Sequence, residues 1–359
     1  MCGFFFETTE KIKKKNLKEI NELKDDLFRR GPDKSKFIQK KNFFIYFSRL
    51  SIIDKKDRSD QPFTDNKKRY YLIFNGEIYN YLEIKKKLKK EGITFNTTSD
   101  TEVLFRLIIF KGMEETLKII QGMFSFVFYD SIKKETFCAR DHFGQKPFYY
   151  HKSKKEFLVS TNILKILKKL NKKTINKDSV AQYLSTKING LISTNKTFFK
   201  EVSVLPAGCY IYIKRNKIKI NRYFNAADLF DKKKYLSLKK MDEKEILSLL
   251  DLKIERAVSK HLISDTKIAV TCSGGIDSSL VTKYAYKQNK NIKVITNKSE
   301  GIEKLSKLVP KIVKSNRIGK KKVYFIDQNK NEYLEYLIRL IKFNCTPARW
   351  ASGPTMAKL

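Results

Sequence analysis

MCGFFFETTE, residues 1–10, sets a cysteine and a glycine directly behind the initiator methionine. Chain ends usually fray, which makes this an odd place for the most oxidisable side chain. Chance accounts for a lone cysteine well enough. The alternative is chemical. Cysteine is small enough to allow removal of Met1, and the new terminus would then carry a thiol and an α-amine on one residue. Such a pair is a nucleophile with its base built in. The rest of the sequence has to choose between the two readings.

At 359 residues the chain is long for one core, so two domains are expected. Its hydrophobic content of 41% and aromatic content of 13% exclude wholesale disorder. No apolar run approaches a membrane span, and the first ten residues lack the basic region and long apolar stretch of a signal peptide. Cys2, Cys138, Cys209, Cys272 and Cys345 sit far apart without a CxxC pair. That pattern points to free thiols in a reducing cytoplasm, with no structural zinc. A net charge of +38 suggests nucleic acid or an anionic surface when taken alone. Lysine is spread over the whole length, however, alongside abundant Ile, Asn and Phe, as an A/T-rich coding sequence would give. The basic runs lack interleaved aromatics and a helix-turn-helix setting, so they are read as solvated surface with a weak attraction to polyanions and no specific nucleic-acid partner.

Residues 1 to about 225 read as mostly β. FFIYFSRLSIID and RYYLIFNGEIY are apolar, β-branched and aromatic runs broken by polar turns. YLEIKKKLKKEG is an amphipathic helix ending at Gly92. GMFSFVFYD, TFCARDHFG, KPFYYHK and KEFLVST read as successive short strands of a meander, and CYIYIKRNKIKINRYF as a hairpin turning near Asn216. The Lys-rich NAADLFDKKKYLSLKKMD reads as a linker. From about Glu243 helices and short apolar strands alternate, which indicates a parallel α/β sheet.

In this second half KIAVTCSGGIDSSLVTKYAY combines a buried strand, a hydroxyl-rich glycine turn and a helix. Backbone N–H groups of Ser273, Gly274 and Gly275 can converge on one centre, with the helix dipole behind them and hydroxyls of Ser278 and Ser279 beside them. This is a cradle for a phosphate chain, without the GK[ST] ending of the common triphosphate loop.

SGGIDSS resembles the pyrophosphate loop of the ATP-pyrophosphatase family, and the N-terminal half resembles the class II glutamine amidotransferase domain. Together they resemble the asparagine synthetase (glutamine-hydrolysing) family. The resemblance rests on MCG at 1–3, RGPD at 30–33, SRLSIID at 48–54, QPF at 61–63, FNGEIYNY at 74–81, SDTEVL at 99–104, GMFSFVFYD at 122–130, ARDHFGQKPFYY at 139–150, LPAG at 205–208 and SGGIDSS at 273–279. It implies a four-layer αββα N-terminal-nucleophile domain followed by part of a doubly wound α/β domain. The implied boundaries are 2–205 for the glutaminase, 206–242 for a closing hairpin and linker, and 243–359 for the synthetase part.

Cys2 is then the nucleophile toward the side-chain amide of glutamine, with the α-amine relaying the proton. Asn75 and the N–H of Gly76 are the implied oxyanion donors. Glycine at 76 would let backbone approach substrate closely, and NGE also reads as a hairpin turn. Arg49 is the implied clamp for the α-carboxylate, and Asp100 and Glu77 the acceptors for the α-ammonium. ARDHFGQKPFYY is expected to be structural, with His142 outside the chemistry. Cys272, Ser273, Gly274, Gly275, Asp277, Ser278 and Ser279 are the implied ATP-binding residues. The family carries ammonia through a channel to β-aspartyl-AMP made from ATP and aspartate, with magnesium on the pyrophosphate.

The family's synthetase domain continues beyond CTPARWASGPTMAKL through a GxGxDE-type loop, and KNIKVITNKSEGIEK departs from its usual pattern. The chain therefore reads as a fragment or a naturally short form. An unpaired sheet edge and an apolar face are expected, met by a homodimer or a completing partner. The alternatives are an amidotransferase for another carboxylate, such as a sugar acid or a peptide, and a partner subunit without ATP chemistry.

Overall fold

The three phenylalanines after Gly3 explain the layering. The computed structural model describes residues 2–185, 195–215, 217–297, 308–319, 322–326 and 330–347. Strand β1 (Gly3–Thr9) is buried on both faces. Because side chains alternate across a strand, Phe4 and Phe6 enter one apolar cluster with Phe43, Phe47, Tyr71, Val127 and Tyr129, while Phe5 enters another with Phe44, Tyr46, Leu23 and Leu27. The first cluster lies between two sheets. The second lies between a sheet and its covering helices.

In chain order the elements are α1 (Leu17–Phe28), β2 (Lys34–Gln39), β3 (Phe43–Arg49), β4 (Phe63–Thr64), β5 (Tyr70–Ile78), α2 (Tyr81–Lys90), α3 (Asp100–Lys111), α4 (Met113–Ile119), β6 (Gly122–Asp130), β7 (Glu135–Arg140), β8 (Tyr149–Lys152), β9 (Glu156–Ser160), α5 (Ile163–Lys169), α6 (Lys177–Ser185), β10 (Ser203–Val204), β11 (Cys209–Lys214) and β12 (Lys217–Arg222). One antiparallel sheet runs β10-β8-β9-β1-β3-β2, the other β12-β11-β7-β6-β5-β4. Leu23 and Leu27 of α1 with Ile163, Ile166 and Leu167 of α5 cover the outer face of the first sheet. Phe105 of α3 packs edge-on to Phe63 of β4 and against Phe128 of β6 on the second. The result is the αββα arrangement of the N-terminal-nucleophile fold.

The expected meander is corrected: β7 belongs to one sheet and β8 to the other. The reason is Asp141. Its carboxylate accepts N–H bonds from Phe124 (3.2 Å), Phe143 (3.1 Å), Gln145 (2.9 Å) and Lys146 (2.9 Å), which pins a tight loop that redirects the chain across the sandwich. The NGE stretch is not a turn either, since Asn75–Glu77 lie inside β5. Asn216, where the β11–β12 turn was expected, falls outside the described residues.

A second compact unit begins at Leu229. The expected linker carries a 3-10 turn (Ala226–Leu229) and helix α7 (Lys232–Leu238), whose N-terminus is capped by Asp231. There follow α8 (Glu243–Lys260), β13 (Ala269–Thr271), α9 (Ile276–Gln288), β14 (Lys293–Asn297), α10 (Val309–Ser315), β15 (Val323–Ile326) and α11 (Lys330–Asn344). The three strands pair in parallel in the order β13-β14-β15. The expected buried strand at KIAVTC has only Val270 buried within β13, with Cys272 just beyond it. Tyr324 and Phe325 on β15 are exposed, one on each face of the strand. No helix among the described residues is long and apolar enough to cross a membrane.

Candidate active site

A small cleft opens in the first unit where β1 begins and β3 ends. Cys2, Arg49, Asn75, Gly76, Glu77 and Asp100, dispersed over a hundred residues of sequence, all line it. The six residues expected for glutamine chemistry are thus brought together.

Cys2 is held at the start of β1. Its Sγ accepts the Leu50 N–H (3.4 Å) and faces the Leu50 carbonyl (3.6 Å), while its own carbonyl accepts the Arg30 Nε–H (3.2 Å). Burial pushes the thiol pKa up, opposed by the Leu50 N–H, the N-terminal charge, Arg49 and Arg30. A base or a cation must therefore help the thiolate form. Met1, whose removal would free the Cys2 α-amine, lies outside the described residues.

Strand β5 presents the donors. Alternate residues of a strand point their backbone groups to the same side. Phe124, opposite Gly76, gives its N–H and carbonyl to Asp141, so the Gly76 N–H faces away from β6. On that side β4 has already ended, since it pairs only with Tyr71 and Leu72. The neighbouring amides are each taken: Phe74 donates to Gln61 Oε1 (2.6 Å) and Ile78 to Asp100 Oδ2 (3.0 Å). Between them the Gly76 N–H is left open to the cleft. The Asn75 amide makes one long bond, from Nδ2 to Ser125 Oγ (3.4 Å), and its buried Oδ1 lacks a partner among the described residues. The reason for glycine differs from the expected one. A Cβ at Gly76 would lie 2.1 Å from the Met123 carbonyl oxygen and 2.6 Å from Phe124 Cα, so its missing side chain serves contact with β6 rather than with substrate.

Charges of opposite sign occupy different walls. Arg49 is buried, with Nη1 on Asp60 (2.7 Å) and the Lys56 carbonyl (3.1 Å), and Nη2 on the carbonyls of Ile53 and Asp54. Asp60 does not cancel that charge alone, because Lys34 and Lys36 also approach it at 2.7 Å. Although burial works against it, these three cations hold its carboxyl below the usual range. Asp100 opens α3 behind the Ser99 cap. Burial, with the Glu77 charge adding to it, pushes its carboxyl up to about 7, against the pull of the Ile78 N–H. A buried acid in that state is poised for a cation. His142 does not line the cleft. It packs edge-on against Phe124, Tyr223 and Phe224, and burial lowers its pKa.

Sequence reasoning passed over Gln61, Asp60 and Lys146. Gln61 extends the edge of β4 with its side-chain amide, accepting from Phe74 N–H and donating to the Phe74 carbonyl (3.2 Å). It stands in QPF, quoted above as a motif with no role attached. Lys146 lines the cleft at 5% exposure, within a loop expected to be structural.

In the second unit the glycine loop departs from its expected form. Gly274 has φ +88°, a conformation that favours glycine. The Ser273 N–H is not free, because it donates to Ser278 Oγ (3.2 Å). The Ser278 and Ser279 hydroxyls donate to the Gly275 carbonyl (3.1 and 2.7 Å) rather than outward. Cys272 is buried and bonded through its N–H to the Ile295 carbonyl (2.8 Å). Asp277 is exposed in the first turn of α9. The amides of Gly274 and Gly275 at the start of α9 remain suited to phosphate oxygens.

A thiol and backbone and side-chain amides thus share one cleft with Arg49 on one wall and Glu77 and Asp100 on another. Residues 1–224 match the glutamine amidotransferase domain family, and the chain belongs to that family. Residues 249–308 match the asparagine synthase family. The chain is 30% identical over 281 residues to asparagine synthetase [glutamine-hydrolyzing] 1 of Bacillus subtilis, covering 78% of this chain and 42% of that protein. It is 34% identical over 284 residues to putative asparagine synthetase [glutamine-hydrolyzing] 2 of Methanocaldococcus jannaschii, covering 73% and 53%. The chain thus spans about half the length of these curated relatives. Among solved structures, glutamine phosphoribosylpyrophosphate amidotransferase of B. subtilis aligns at TM-score 0.39 and 17% identity, over 81% of this chain and 58% of that one.

Proposed function

We propose that the first unit hydrolyses glutamine to glutamate and ammonia, and that the ammonia serves asparagine synthesis from aspartate and ATP. The observation that carries this reading is the open Gly76 amide beside Asn75 in the cleft that holds Cys2. Glutamine's α-carboxylate lies toward Arg49 and its α-ammonium toward Asp100 and Glu77. The Cys2 sulfur attacks the side-chain carbonyl carbon, its proton passing to the α-amine exposed by loss of Met1. The oxyanion is met by the Asn75 amide and the Gly76 N–H. Collapse breaks the C–N bond, the amine returns the proton to the leaving nitrogen, and ammonia departs. Water then cleaves the γ-glutamyl thioester to glutamate and restores the thiol.

ATP supplies the adenylyl group that turns an acceptor carboxylate into an electrophile, as β-aspartyl-AMP where the acceptor is aspartate. The Gly274 and Gly275 amides suit its phosphates, and magnesium would accompany them. The proposed domains are 2–205, 206–242 and 243–359.

Glutamate release from glutamine by the untagged chain, with and without ATP and aspartate, tests this reading. Cys2→Ala should abolish release while leaving the melting curve in place, and an N-terminal extension should do the same. Glutamate release by Cys2→Ala would overturn the assignment. AMP and asparagine formed together with glutamate would extend it to the full reaction.

A further inference from the structure

We propose that the Lys146 ammonium is the cation that holds the Cys2 thiolate during glutamine hydrolysis. This rests on the glutaminase reading above. Lys146 lines the same cleft as Cys2 and is buried to 5% exposure. Among the described residues its ammonium forms no ion pair and no hydrogen bond, while its backbone N–H is fixed on Asp141 (2.9 Å). A buried, unpartnered lysine is costly to keep, and an anion arriving in the cleft would repay the cost.

Two other cations, Arg49 and Arg30, also act on the Cys2 thiol, and each is held by main-chain carbonyls. Arg49, ending β3, is tied to Asp60 and to three main-chain carbonyls. Arg30, following α1, bonds the Cys2 carbonyl through Nε and keeps a buried Nη2 without a partner among the described residues, but it does not line the cleft where glutamine would lie. Glu77 on β5 and Asp100 on α3 carry the sign that would repel a thiolate, and Tyr149 on β8 acts on Arg30. Lys146 feels Glu77, Arg30, Cys2 and Asp141 together, with burial lowering its pKa and Glu77 raising it. The thiol proton leaves to the α-amine. Lys146 stays protonated throughout and balances the sulfur's charge until the C–S bond forms.

The test is the pH profile of iodoacetamide alkylation at Cys2, read by difference from Cys2→Ala, alongside glutaminase kinetics. For Lys146→Met the alkylation midpoint should move up, so that labelling at pH 7 slows about tenfold, the thiolate change for one pKa unit. Turnover should fall in parallel, with the glutamine KM changed less than about twofold. Lys146→Arg should restore most of the labelling rate. Lys146→Gln serves if the methionine variant does not fold. An unchanged alkylation profile, with or without a raised KM, would overturn the proposal. A KM effect alone would instead make Lys146 a substrate anchor. Glutamate release by Cys2→Ala would sink the glutaminase reading, yet the alkylation profile would still report on the Lys146–Cys2 pair.

Discussion

Lowering the pH from 8 to 6 should weaken glutamine binding about tenfold, and Asp100 is the reason. Its carboxylate is enclosed at the start of α3, one oxygen taken by the Ile78 N–H at 3.0 Å. Burial and then the Glu77 charge push its pKa up to about 7. The ionised fraction therefore drops from about nine-tenths at pH 8 to about one-tenth at pH 6. An α-ammonium requires the ionised form, so glutamine binding at pH 6 must expel a proton. The sign for folding is the reverse of the sign for binding. A carboxyl whose folded pKa is raised holds its proton more tightly when folded. Its contribution to stability is present below the ordinary carboxylate range, near 4, and is lost as pH rises to about 7. Asp100→Asn should then raise the melting temperature at pH 8 and leave it unchanged at pH 4, while glutamine KM becomes high and independent of pH. Steady-state glutamate release from pH 6 to 8 measures the KM. Calorimetry of glutamine binding to Cys2→Ala in two buffers of different ionisation enthalpy measures the proton. A flat KM with no proton expelled at pH 6 would refute the reasoning.

Other variants separate chemistry from folding. Asn75→Ala should lower kcat on the order of 10²-fold, as loss of an oxyanion donor does, and its melting temperature should hold or rise because a buried unpartnered oxygen disappears. A large fall in melting temperature would mean that the amide is structural. Gly76→Ala should cost on the order of 3 kcal/mol in denaturant melts, since its Cβ meets β6 main chain at 2.1 Å and 2.6 Å. A melt like wild type would show that the strands are not that close. Asp60→Asn should raise the glutamine KM with kcat within about twofold, because Arg49 loses its 2.7 Å partner without touching the thiol. Equal loss in kcat would place Asp60 nearer the chemistry.

Much of this architecture is readable residue by residue. The aromatic runs of β3, β5 and β6 are strands, α2 stops at Lys90 before a positive-φ Gly92, and residues from the separate motifs line one cleft. What escaped reading depends on distant partners. The short strands β7 and β8 look alike locally, and only the amides gathered by Asp141 send them to different sheets. Asn-Gly at 75–76 has turn chemistry, yet β6 closes over the missing Cβ and keeps it in a strand. Lys146 belongs to a chain rich in lysine, and nothing in GQKPFYY distinguishes a buried amine from a solvated one. In the phosphate loop, hydroxyls that seemed to point outward satisfy the Gly275 carbonyl instead.

The central position of β1 has a consequence for biosynthesis. Strand β1, which carries Cys2 at its start, pairs on one side with β3 and on the other with β9, and the Phe4 N–H bonds Thr161 Oγ1, 157 residues downstream. The thiol therefore cannot be seated in its cleft until most of the sandwich has been translated.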